Sequence, residues 1–487
     1  MLLHLIRKEL LDHLLSLRFI ILAVFSALVV WASLYSGITY YEAVLDDYRT
    51  AETTTERRIR QIIEADDRIS LVGHNWDELY GQGYTIHKPP TVLSTFVRGI
   101  DPFLGRSTHV AVSGDDRPIT WSPASQDPTL ASPLPLDLTT VIQIALGLFV
   151  LLLTYDAISG EKERGTLRLA GSFPIARAQF LLAKLVGAAL PMLAVYASST
   201  GLGIAVLLMV PTFRLGPAES GRLILILVAS AVYLGTMASA GVLASAMTRS
   251  AATSFALLMA FWTVSIVVLP RLSLVLASAL TPPPSKSDYV ARKRVSFREN
   301  LNERNTKHAK FIKDYEQRTG SSPFGTPEGR EAYYLAVRGF DREFRPFMRD
   351  LRDRIEEEYR NRFDAWIDLG AVIAHLSPAF PFRAASVRLA GTGSDRYRDF
   401  SDENRRHLDD EWDWVKEGWN RDFLMQWMPE KYGEFSWQVA DIPRFRYEEK
   451  WPAADIRSAL IETGAVALWG LLFSAGAFVT MIRYDLR

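Results

Sequence analysis

"LTTVIQIALGLFVLLLTYDAISGEKERGTLRLAGSFPIARAQFLLAKLVG", residues 138 to 187, leaves an uncharged apolar run, crosses a short patch bearing charges of both signs, and re-enters an apolar run. A bilayer core about 30 Å thick is crossed by roughly twenty apolar residues, because each helical residue rises about 1.5 Å. The first run therefore reads as a membrane-spanning helix. The patch after it reads as a segment held at one membrane face, flanked by two spans.

Working outward from this stretch, six windows meet or approach the same criterion. They are 19–40 ("FIILAVFSALVVWASLYSGITY"), 138–155, 185–210, 223–247, 251–269 and 456–482. Backbone groups in lipid have no water to pair with, so each window is expected to be helical. The expected fold is mainly α and integral to the membrane, with six transmembrane helices. Arg271 marks the expected interfacial end of the fifth window, and Glu462 stands alone as an acid inside the sixth. An ionisable group at that depth is costly, which makes Glu462 a candidate intramembrane polar site.

Residues 1–18, "MLLHLIRKELLDHLLSLR", set Leu3, Ile6, Leu10, Leu14 and Leu17 on one stripe, with Arg7, Lys8 and Asp12 elsewhere. That pattern predicts an amphipathic helix lying in the interface. A cleaved signal peptide fits poorly, since the window after it is long and lacks a small-residue cleavage site.

Lysine and arginine concentrate before window one, between windows two and three (Lys162, Arg164, Arg168, Arg177, Lys184), at Arg249, and after window six. With six spans these segments share one side. The positive-inside tendency makes it cytoplasmic and puts both termini there. Segments 41–137 and 281–455 then lie outside. The first is expected to continue helix one to about Ile69 and then to form turns and short strands. The second opens with "TPPPSKS" and carries helix-favouring runs at 289–318, 327–375 and 401–427, predicting a folded, mostly helical extracytoplasmic domain.

The chain has 487 residues, formal net charge +0 and no cysteine. A neutral balance gives no basic field for nucleic acid, and the missing thiols exclude disulfides and thiolate metal sites. The eight histidines show no metal-ligand spacing. Gly160 to Thr166 has the glycines of a phosphate loop but no lysine after the second, and Glu161 and Glu163 would repel phosphate. No metal or cofactor is expected on this chain.

The stretch 155–187 resembles the signature of ABC-2 type permeases, the membrane subunits of type V ATP-binding-cassette exporters. The resemblance rests on Asp156, Ser159, Gly160, Glu161, Glu163, Gly165, Thr166, Leu167, Pro174, Arg177 and Lys184. The amphipathic first helix is similar to that family's elbow helix, and the six-span count agrees. Residues 375–400 resemble a subgroup with a large external insert between spans five and six. The resemblance implies a permease of an ATP-driven exporter working with two copies of a separate ATPase subunit, which would hold ATP and Mg. It also implies a second permease copy or related permease as partner, and the cytoplasmic membrane of a bacterium or archaeon as location.

On that reading residues 156–184 are a coupling loop. Asp156, Gly160, Glu161, Lys162, Glu163, Arg164, Gly165, Thr166, Leu167, Pro174 and Arg177 are the candidate ATPase-coupling residues, with the charges making charge-assisted contacts to the partner. The rival function keeps this architecture but moves no substrate, sending ATP-driven motion to envelope partners through the external domain. An intramembrane enzyme is disfavoured, because the spans carry no His/Asp/Glu cluster and no serine-centred dyad.

Overall fold

A computed structural model of the chain describes residues 2–65, 68–69, 84–110, 120–121, 136–167, 176–427, 437–438, 445 and 447–484. The molecule is mostly helical, and six helices among the described residues are long and apolar enough to cross a membrane. An amphipathic helix α1 (Leu2–Leu14) precedes α2 (Leu17–Ala65), which contains window one and runs far beyond it. The second span, α3, is built from Leu138–Val141, a π-helical turn at Ile142–Leu146, and Gly147–Thr154. A short α4 (Ser159–Glu163) follows it. Then come α5 (Arg177–Leu207) and α6 (Pro217–Met247). The fifth span, α7, comprises Ala251–Thr263, a second π-helical turn at Val264–Val268, and Leu269–Leu280.

Local chemistry sets several of these boundaries. Asp137 accepts the Thr140 N–H at 2.7 Å and so caps the start of α3. Pro217 opens α6 at a position where a missing N–H costs nothing. Helix α7 does not stop near Arg271. It continues to Leu280, because nothing breaks it before Pro282 to Pro284. Pro270 inside it follows directly on the π-helical turn, whose shifted bonding accommodates a residue lacking an N–H.

Beyond α7, α8 (Lys286–Thr319) and α9 (Pro327–Ala374) form a long antiparallel hairpin closed around Gly320. Thr326 caps α9 by accepting the Gly329 N–H at 3.1 Å. At about 1.5 Å per residue, α9 is roughly 70 Å long. Helix α10 (Ala379–Ala390) comes next, then α11 (Ser394–Trp427) and the last span, α12 (Ala453–Arg483). Short strands complete the fold. β1 (Arg68–Ile69) pairs antiparallel with β5 (Trp437–Gln438), and β2 (Tyr84–His87), β3 (Ser107–Val110) and β4 (Thr120–Trp121) form an antiparallel sheet in that order.

Residues 379–390 belong to a stretch read from sequence as wholly external, yet α10 packs among the spans. Phe382 is fully buried and stacks on Tyr233 of α6, with ring centroids 4.6 Å apart. Ala379, Ala385, Ser386 and Ala390 are also fully buried, small enough to let the backbones approach closely. Both π-helical turns face this element. The Tyr233 hydroxyl donates to the Gln143 carbonyl at 3.1 Å, and the Ser377 hydroxyl donates to the Ser265 carbonyl at 2.9 Å. Carbonyls displaced by the widened turns thus find donors where water is absent.

A second anchor ties the N-terminal ends of α6, α11 and α12 together. Arg222 and Arg396 both stack on Trp451, at 4.5 and 4.8 Å from the ring centroid, and both pair with Asp455. Arg222 is fully buried and also donates to the Pro452 carbonyl at 3.1 Å. The rings and carbonyls supply the contacts that a buried guanidinium needs.

Candidate functional site

The residues singled out from the sequence gather around the start of α5 and the far ends of α6 and α12. Helix α4 is seated by Ser245 of α6, whose hydroxyl oxygen accepts the N–H groups of Ile158 and Ser159, both at 2.9 Å. These are orphan donors of a helix start, satisfied here by a side chain of another span. Gly165 ends the turn with φ of 73°, a left-handed conformation that a Cβ would strain. Leu167 then drops into a buried apolar cluster with Ile158, Phe180, Leu181, Val242 and Met481.

The charges divide into two sets. Lys184 is buried and reaches both Glu9 of α1, at 2.9 Å, and Glu161 of α4. Gly187, one turn along α5, permits this approach: a Cβ there would lie 2.5 Å from the Glu9 side chain. Lys162 donates to the Ala246 and Thr248 carbonyls at the end of α6, and Arg177 donates to those of Met481, Ile482 and Tyr484 at the end of α12. A cation at a helix C-terminus satisfies free carbonyls and the negative end of the dipole. Asp156 pairs with Arg18 at 3.1 Å, and Arg18 also lies over the Tyr155 ring. Glu163, Arg164 and Thr166 face outward and are exposed.

Gly160 is buried and bonds its N–H to the Asp156 carbonyl at 3.0 Å, closing the turn between α3 and α4. Pro174 lies outside the described residues. Glu462 stands apart from this constellation, toward the other end of α12, where its carboxylate meets His375 Nε2 at 2.8 Å. His375 Nδ1 sits 2.7 Å from the Ala371 carbonyl, which can only accept, so Nδ1 carries a proton. The contact to Glu462 then needs one further proton, held by either Nε2 or the carboxyl.

Glu9, Arg18 and Ser245 are essential to this geometry and were not singled out from the sequence. Glu9 carried a signal: it lies three residues after Ile6 and four before His13, beside the apolar stripe of α1, where an acid calls for a buried partner. Ser245 carried none, being one small residue among many in α6. No cluster of three or more His, Cys, Asp or Glu side chains suited to a metal ion occurs among the described residues.

A profile of the ABC-2 family transporter proteins matches residues 3–320, a range that includes α1, the first five spans, α4 and α8. The probable ABC transporter permease protein NosY of Pseudomonas aeruginosa is 48% identical over 50 residues, 10% of this chain and 18% of that protein. The protein of the same description from Stutzerimonas stutzeri matches to the same extent. The aligned part of this chain spans less than a fifth of the length of these relatives.

Proposed function

The chain belongs to the ABC-2 transporter family, as a transmembrane permease subunit of an ABC transporter, and we propose that it couples ATP hydrolysis on a separate subunit to outward movement of a substrate. The reading has two ATPase subunits at the face bearing Glu163 and Arg164. It has a second permease copy or a related permease beside this one, and both termini in the cytoplasm of a bacterial or archaeal cell. ATP and Mg would be held by the ATPase.

One observation carries this reading. Lys184 joins α1, α4 and α5 through Glu9 and Glu161, while Lys162 and Arg177 fasten the same segment to the ends of α6 and α12. A push on α4 therefore reaches three spans through short, charge-assisted contacts rather than through a slack loop. Glu163 and Arg164 remain available to a partner because the inner charges are already engaged.

The test reverses the exposed pair, Glu163→Lys with Arg164→Glu. Membrane level should be unchanged, whereas co-purification of the ATPase should fall about ten- to hundredfold, the effect of losing one charge-assisted contact. Unchanged co-purification and unchanged stimulation of ATP hydrolysis would refute a docking role for this face.

A second reading, motion delivered to envelope partners without transport, draws support from α9. Its last turns are joined to α7, where Trp366 donates to the Ser278 hydroxyl at 3.0 Å and Gly370 packs against Leu274. A shift of span five would thus be carried along a roughly 70 Å helix. ATP-dependent uptake into inverted vesicles favours the first reading. Its absence, with ATPase stimulation intact, favours the second.

A further inference from the structure

Between the loop-side halves of α5, α6 and α12 lies a cavity of about 160 Å³ that the coupling contacts do not use. Leu181, Leu185, Val242, Ala477 and Phe478 line it, and its polar wall is the Ser239–Ser474 pair, whose hydroxyls bond to each other at 3.1 Å. Apolar walls around a space of this size admit an apolar guest. Leu182 and Phe478 at its rim are 45% and 39% exposed, so it opens sideways from the helix bundle rather than toward the charged face.

The cavity's loop-side edge is cationic. Arg177 precedes the lining residue Ala178, and its Nη1 caps α12 one turn beyond Phe478. Arg483, exposed at the end of α12, adds a second positive charge. An apolar slot one to three helical turns deep, with the Arg177 guanidinium beside its loop-side edge, has the layout of a phospholipid: tail below, phosphate above.

We propose that this cavity binds one acyl chain of a phospholipid from the leaflet adjoining the 155–167 patch, with the phosphodiester on Arg177. The lipid would then lie against α5, α6 and α12, the helices that the coupling contacts tie together. Lipid occupancy is independent of whether α4 docks an ATPase. Only the naming of the leaflet as cytoplasmic rests on the proposed function.

The experiment places the full-length protein in vesicles containing trace phosphatidylglycerol with a photoactivatable diazirine in one acyl chain. A parallel sample contains diacylglycerol with the same chain and no phosphate. After irradiation, adducts are mapped by mass spectrometry. The phospholipid should label 178–185, 239–242 and 474–478 about tenfold more than the diacylglycerol does, a difference that one phosphate contact supplies. Ser474→Phe, which fills the slot, should abolish this labelling, and Arg177→Gln should reduce it to the diacylglycerol level. Equal labelling by both lipids in the native protein, or adducts spread evenly over exposed faces such as Phe255 and Leu257 of α7, would overturn the proposal. Neither outcome depends on a variant folding.

Discussion

Lys184 and Glu9 are 175 residues apart in sequence, and their side chains meet at 2.9 Å with both largely removed from solvent. Their contact fastens the amphipathic first helix to the base of the third span, while Glu161 occupies the other side of the same ammonium. A buried charge that keeps its partners costs little, whereas one stripped of them costs much.

Lys184→Met should therefore lower stability by about 3–5 kcal/mol, because Glu9 and Glu161 are left facing an apolar side chain. The loss should appear as a lower thermal midpoint of the detergent-solubilised protein. Adding Glu9→Gln and Glu161→Gln to Lys184→Met should restore much of it, since the uncompensated charge is gone. A triple variant as unstable as the single one would mean that volume, not charge, sets the cost.

Orientation can be read without removing any native thiol, because the chain has no cysteine. Thr166→Cys, exposed beside α4, should react with an impermeant maleimide only after permeabilisation. Ser321→Cys, in the exposed turn between α8 and α9, should react in intact cells. The opposite pattern would reverse the proposed topology.

Phe382 should prove a keystone of α10. Replacing it with Ala removes a fully buried ring and its stack on Tyr233, at a cost of about 3 kcal/mol or more. Exchange of α10 amides with deuterium should accelerate strongly, while amides of α8 stay unchanged. Equal effects on both helices would indicate global unfolding rather than release of α10.

Acid should loosen the contact between the β2–β3–β4 sheet and α11. The His407 ring lies 3.0 Å from the Tyr84 hydroxyl, and burial pushes its pKa below the ordinary histidine value, against the opposing pull of Asp410. A depressed folded pKa means the contribution is complete above the unfolded value, about 6.5, and is lost as pH falls through the folded one. Protection of β2 amides, corrected for the intrinsic slowing of exchange in acid, should fall as pH drops below about 6.5 in the native protein and fall less in His407→Gln. An identical pH response in the variant would assign the effect to other groups.

The spans and their number were legible in the sequence, because they follow from local quantities. Twenty uncharged apolar residues can be accommodated only as a helix in lipid, and a charged break between two such runs must surface. The long helices at 286–319 and 327–374 were legible for a related reason, being carried by spacing and by caps at Ser285, Thr326 and Gly320. What the charges of the patch do was not legible. Sequence reading offered Glu161, Lys162, Glu163 and Arg164 alike to a partner, whereas in the fold Glu161 and Lys162 turn inward and only Glu163 and Arg164 remain exposed. That division depends on Glu9, Ala246 and Thr248, brought close by helix packing and far away along the chain.

Helix α10 marks the same boundary from the other side. "AFPFRAASVRLA" is too short to span a bilayer and contains two arginines, so hydropathy alone leaves it outside. Its small residues and Phe382 fit a notch bounded by two π-helical turns, whose Gln143 and Ser265 carbonyls accept from the Tyr233 and Ser377 hydroxyls. A one-dimensional pattern records how apolar a segment is. Which surface will cover it, and which charge will meet which, is decided when distant segments compete for the same buried space.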